Sequence, residues 1–203
     1  MNYFAHIIFL SLLFITPPLN GQHHEYDPHQ LTVDDFTHAE MNDGTEFQRE
    51  GQSYKVKNSA YAKGLYIRKD NSWLKHGLFF ALYKGKITSI TSYAYGKKEG
   101  YYKAFHANGK LSFKYRYKNG LKHGRWYQYA KNGALMEEKS YHNGVMNGQK
   151  ITYHDNGEKA FASTYVDGKL HGDKYVYNEN GELIAKSQYE MGQKLGRTQY
   201  AYN

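Results

Sequence analysis

The chain is predicted to be all-β, an elongated single-layer antiparallel meander of stacked β-hairpin repeats. Three observations predict it. Glycine recurs with a 24-residue period at Gly100, Gly124, Gly148 and Gly172, and Gly196 opens a shortened copy. A fixed frame follows each of the first four, Gly-x4-aromatic-x2-Asn-Gly-x7-Tyr-x2-Gly. Between these marks, bulky residues mostly alternate with polar or small ones, the two-residue period of a half-buried strand. A period of 20 to 50 residues denotes an array of small supersecondary units.

Composition supports thin β structure over a thick core. The 203 residues include 22 Tyr, 10 Phe and 2 Trp, far more aromatic surface than a disordered chain carries. Yet the mean hydropathy is −0.84, polar for a folded protein. No cysteine is present, which excludes disulfides, thiol catalysis and cysteine lipidation.

Residues 4–16 form one apolar run closed by Pro17-Pro18. Its length is short of the roughly 20 residues that span a bilayer. Its position fits the apolar core of a secretory signal peptide, and cleavage is expected after Gly21. The reading is therefore a signal peptide over 1–21, with the mature protein exported to the periplasm, envelope or medium and free of a transmembrane segment. Residues 22–50 hold eight acidic residues against Arg49 alone and are read as a linker or N-terminal cap. Residues 51–203 hold 26 Lys and Arg against 11 acids, a net of +15. Such an excess either keeps an open sheet soluble or attracts an anionic partner.

Copies of the repeat are expected to start near 51, 77, 100, 124, 148, 172 and 196. Counting from each opening glycine, position 6 is Phe105, Tyr129, Tyr153 and Tyr177, and position 18 is Tyr117, Tyr141, Tyr165 and Tyr189. One set of turns falls at Asn108-Gly109, Asn132-Gly133, Asn156-Gly157 and Asn180-Gly181. A two-residue Asn-Gly loop would set position 6 against position 13 and mix parities. A three-residue loop sets 6 against 12 and 4 against 14, gathering the even positions on one packed face. Three-residue loops with the glycine in a left-handed bulge are therefore expected.

These residues resemble the MORN repeat in its bacterial variant form. Val166-Asp167-Gly168-Lys169-Leu170-His171-Gly172, followed by Tyr177, Asn180-Gly181 and Leu183, follow its pattern closely, and the resemblance extends over about residues 51–203. It implies an elongated antiparallel β array and transfers no catalytic residue. The same variant repeats occur in proteins called YwqK-family antitoxins, and other MORN proteins are linked to membranes, junctions and scaffolds. The export signal departs from a cytosolic antitoxin.

Chemistry-bearing patterns are sparse. No Gly-x-Ser-x-Gly elbow occurs, and Glu137, Glu138, Asp155 and Asp173 are scattered over the repeats, so no enzyme activity and no cofactor are expected. His123 and His171 precede repeat glycines two hairpins apart, about 20 Å at strand spacing, too far to share a metal ion. His23, His24, Glu25, Asp27 and His29 form a cluster without fixed ligand spacing, read either as weak metal-binding or as polar linker. Binding is assigned to Tyr102, Tyr115, Trp126 and Tyr127 with Lys122 and Arg125, where flat rings and cations stand together. The expected partner is a protein first, then a glycan or an anionic lipid surface. Export argues against nucleic acid.

Overall fold

The computed structural model describes residues 43–49 and 51–200. The expected signal peptide, the His23–His29 cluster and most of the acidic segment lie outside the described residues.

The described residues form a 14-stranded sheet in which every strand pairs antiparallel with its neighbour in sequence. The strands are β1 (Glu46–Arg49), β2 (Gln52–Asn58), β3 (Ala62–Lys69), β4 (Ser72–Tyr83), β5 (Lys86–Ala94), β6 (Lys97–Phe105) and β7 (Leu111–Lys118). They continue as β8 (Leu121–Tyr129), β9 (Leu135–His142), β10 (Val145–Tyr153), β11 (Lys159–Val166), β12 (Lys169–Tyr177), β13 (Leu183–Glu190) and β14 (Gln193–Tyr200). The all-β single-layer meander is thus the observed fold. β1 falls inside the segment read as linker or cap and adds a strand ahead of residue 51. Among the described residues no helix is long and apolar enough to cross a membrane.

Two turn types alternate along the chain. Asn108-type loops hold three residues, as expected from parity. His106 N–H donates to Lys110 O at 2.8 Å and Gly109 N–H donates to His106 O at 2.9 Å, enclosing Ala107-Asn108-Gly109. Gly109, Gly133, Gly157 and Gly181 take positive φ of 83, 97, 92 and 80°, which relieves the closing residue of any steric penalty. The second set, such as Asn119-Gly120, has positive φ at both residues (52 and 82°), the two-residue turn whose twist matches a hairpin. The copy at Gly77 is one residue short because its loop is Lys84-Gly85, closed by Tyr83 opposite Lys86.

Register corrects one expectation. Phe105 pairs with Leu111 as anticipated, but Ala104 then pairs with Phe113 and Lys103 with Lys114. Ser112 is an extra residue, so position 4 meets position 15 and not 14. Met136, Ala160 and Ile184 are skipped in the same way in the next three hairpins. One inserted residue flips every side chain beyond it to the other face. Even positions in the first strand of a hairpin therefore share a face with odd positions in the second. Tyr129, Tyr153 and Tyr177 lie on one face, and Tyr117, Tyr141, Tyr165 and Tyr189 on the opposite one. The single packed even face does not exist; aromatic residues serve both faces.

A one-layer sheet buries little. Among the described residues the buried apolar side chains are Val56, Ile67, Phe79, Phe80, Ile90, Trp126, Ala160 and Ala185, concentrated around β2–β5. Elsewhere stability rests on cross-strand pairs, each worth roughly 0.2–1 kcal/mol, and on contacts between successive turns. Asn108 Nδ2 donates to Lys131 O (2.7 Å) and Asn156 Nδ2 to Glu179 O (2.6 Å), 23 residues ahead in each case. At the opposite strand ends, Gly120 N–H donates to Lys98 O and Gly144 N–H to Lys122 O.

Candidate functional site

The residues assigned to binding divide between the two faces. Tyr102, Tyr115, Trp126 and Lys122 stand on one. Tyr127 and Arg125 stand on the other, so the six do not form one site.

On the first face Tyr102 stacks on Tyr115 with centroids 4.6 Å apart, and Tyr117 meets both edge-on at 6.4 and 5.2 Å. The register places Tyr102 directly opposite Tyr115, which makes the stack. The Tyr115 and Tyr117 hydroxyls are 3.1 Å apart. Burial first, then this hydrogen bond, raises the Tyr115 phenol well above its usual range. Lys122 Nζ sits 5.2 Å from the Tyr115 ring and 5.3 Å from Tyr141. Lys98 Nζ donates to Tyr117 Oη at 3.4 Å.

Trp126 requires a correction. Its ring is 7 % exposed, packed against Phe113 and capped by Lys139 Nζ 4.0 Å above it. Glu137 in turn pairs with Lys139 (3.0 Å) and Lys150 (3.3 Å). Trp126 thus belongs to the packing of the sheet, and its flat face is not offered to a ligand.

On the second face Tyr127 and Tyr129 stack at 6.4 Å, and Tyr153 Oη donates to Glu138 Oε1 at 2.7 Å. Burial, followed by this carboxylate, pushes the Tyr153 phenol up to about 12. Exposed Arg125 is held more firmly protonated, chiefly by its hydrogen bond with Tyr127. With Glu138, Ser140 and Gln149, Arg125 lines a shallow depression. It presents mixed charge.

The opening glycines Gly100, Gly124, Gly148, Gly172 and Gly196 all have positive φ. Histidines contribute a feature that comparison of equivalent positions missed. His123 and His142, on adjacent strands of one hairpin, have ring centroids 5.3 Å apart, and His123 Nδ1 is buried without a hydrogen bond. The pairing of Gly124 with Tyr141 puts these two side by side. Among the described residues no group of three or more His, Asp or Glu is placed to hold a metal ion.

The repeated hairpins and their turns define a β-hairpin repeat protein. Residues 98–119, 122–143 and 170–191 match the MORN repeat variant. Each match runs from two residues before the opening glycine to the first residue of a two-residue turn. MORN repeats are generally binding or scaffold modules. No curated protein matches the chain.

Proposed function

We propose that this chain is an exported, non-enzymatic binding or scaffold module that presents sheet faces to a protein, a glycan or an anionic surface. One observation carries the reading. Lysines without a carboxylate partner among the described residues rest against half-exposed aromatic rings along one face, as at Lys98–Tyr117 and Lys122–Tyr141. An ammonium held beside a ring with no carboxylate partner is a ready site for an anionic group. The apolar run over residues 4–16 supports export. Cell fractionation with N-terminal sequencing tests the localisation. Mature protein beginning near Gln22 in the envelope or medium is expected, and an uncleaved cytosolic chain rejects export.

A second reading has the chain bind and neutralise a toxin, as a YwqK-family antitoxin of bacterial type. The repeat-variant matches support it, and the signal-like N-terminus opposes it. Rescue of growth by cytosolic co-expression with a toxin encoded beside this chain is its test.

A further inference from the structure

Across six consecutive strands one row of the sheet alternates lysine and tyrosine. β4 gives Lys75, β5 Tyr93, β6 Lys98, β7 Tyr117, β8 Lys122 and β9 Tyr141. The ammonium groups lie 5.0 Å from Tyr93, 4.9 Å from Tyr117 and 5.3 Å from Tyr141, respectively. The intervening steps are direct cross-strand pairs, Tyr93 with Lys98 and Tyr117 with Lys122. The next pair in the row is Tyr141 with Met146.

The hairpin does not need these lysines. Met146 and Leu170 occupy the same position in the following copies, and their hairpins form equally well. Nor do acids neutralise them. Among the described residues Lys75, Lys98 and Lys122 are in no ion pair. Neighbouring Glu99 turns to the Asn119 N–H at 2.6 Å, and Glu137 is held by Lys139 and Lys150. Three positive charges are thus arranged in a file, one on every second strand.

Strand spacing sets the file's period at about 10 Å, roughly the length of a disaccharide in an extended polysaccharide. The lysines lie over the tyrosine rings, so the rings hold the ammonium groups in place, and the Tyr93 and Tyr141 hydroxyls offer hydrogen bonds to sugar hydroxyls. We infer that the Lys75–Lys98–Lys122 file binds an acidic polysaccharide whose anionic groups, carboxylate and sulfate, recur with every disaccharide. This rests on the reading of the chain as a binding module and names its ligand. A membrane surface would engage a two-dimensional field of projecting cations, whereas these ammonium groups are folded down onto rings in single file. Single-stranded nucleic acid spaces its phosphates more closely than the file.

Binding of the purified full-length protein to chondroitin sulfate is measured by calorimetry at two salt concentrations. Dextran, phosphatidylglycerol vesicles and poly(dT) serve as comparison ligands. The triple variant Lys75→Gln/Lys98→Gln/Lys122→Gln is expected to weaken chondroitin sulfate binding at least tenfold. The Lys→Arg triple at the same positions is expected to stay within about threefold, as is a control triple Lys131→Gln/Lys159→Gln/Lys169→Gln. Circular dichroism verifies that the variants are folded. An equal loss in the control triple, or tighter binding of vesicles or poly(dT) than of chondroitin sulfate, overturns the inference. So does the absence of chondroitin sulfate binding. None of these results depends on localisation, so the file can fail while export stands.

Discussion

Gly124 lies directly across the strand pair from Tyr141, and the same relationship joins Gly100 to Tyr117, Gly148 to Tyr165 and Gly172 to Tyr189. The two most regular marks of the repeat, 17 residues apart in sequence, are therefore one cross-strand pair. The glycine does further work on its other side. From His123 to Tyr127, β8 advances four residues while β7 advances two, from Arg116 to Lys114. The extra residues are accommodated at Gly124, whose φ is +74°.

This conformation sets the expected cost of substitution. A Cβ at Gly124 meets nothing within 4 Å, so Gly124→Ala suffers only the left-handed backbone penalty, about 1–2 kcal/mol. Gly124→Asn is expected to cost less, because asparagine tolerates that region. At Gly148 a Cβ would also lie 3.0 Å from Ser140 Cβ, so Gly148→Ala should destabilise more than Gly124→Ala. Gly64 differs in kind, since its Cβ would come within 2.7 Å of the buried Phe79 ring. Urea denaturation of these three variants and of Gly64→Ala reads the order. Equal losses at Gly124 and Gly148 would contradict the account.

Turn-to-turn hydrogen bonding makes a second expectation. Asn156 both donates from Nδ2 to Glu179 O at 2.6 Å and accepts at Oδ1 from Glu158 N–H at 3.0 Å. Asn156→Ala removes both bonds and is expected to cost roughly 1–2 kcal/mol. Asn156→Asp keeps the acceptor and loses the donor, and should fall between. Hydrogen exchange localises the effect, with faster exchange expected at the turn around Glu179 as well as at the mutated one.

Tyr153 gives a pH dependence of definite sign. Burial and the Glu138 carboxylate raise its phenol from about 10 to about 12. The folded state therefore holds this proton more tightly than the unfolded chain. Its contribution to stability is fully present below pH 10 and is lost as pH rises through about 12. In ¹³C-tyrosine NMR the Tyr153 resonance is expected to titrate after those of exposed tyrosines. Glu138→Gln should bring it earlier by removing the adjacent negative charge. An unchanged titration in that variant would show burial to be the sole cause.

The fold was legible because the repeat is written in turn chemistry. Asn-Gly dipeptides and the 24-residue glycine spacing specify hairpins locally, and each hairpin pairs with the next in sequence. The three-residue loop was anticipated and Phe105 does stand opposite Leu111, but the single even face invoked to argue for it does not form. The faces did not follow, because the skipped residue has no constant identity. It is Ser112 in one copy and Met136, Ala160 or Ile184 in the others, two buried and two exposed. For the same reason Trp126 read as an exposed platform, although its cover by Lys139 arises only once register is fixed. The lysine–tyrosine row was hidden likewise, because Lys98 and Tyr117 are neighbours through pairing and not through sequence spacing.

A quasi-one-dimensional array has a last consequence. Each hairpin contacts mainly its neighbours, so removing one whole period should leave new neighbours in register. Deleting residues 148–171 joins Asn147 to Gly172 and lays β12 against β9. Lys174 then takes the place of Lys150 beside Glu137, and Tyr177 takes the place of Tyr153 beside Glu138, so both polar contacts are rebuilt. The variant is expected to unfold cooperatively, with a urea m-value lower roughly in proportion to the surface removed. Deleting only residues 148–159 removes one strand of the pair and brings β11 in from the wrong end of the sheet. That variant is expected to lose the native circular dichroism signal over its C-terminal strands. If both deletions behaved alike, stability would reside in the whole sheet and not in successive hairpin contacts.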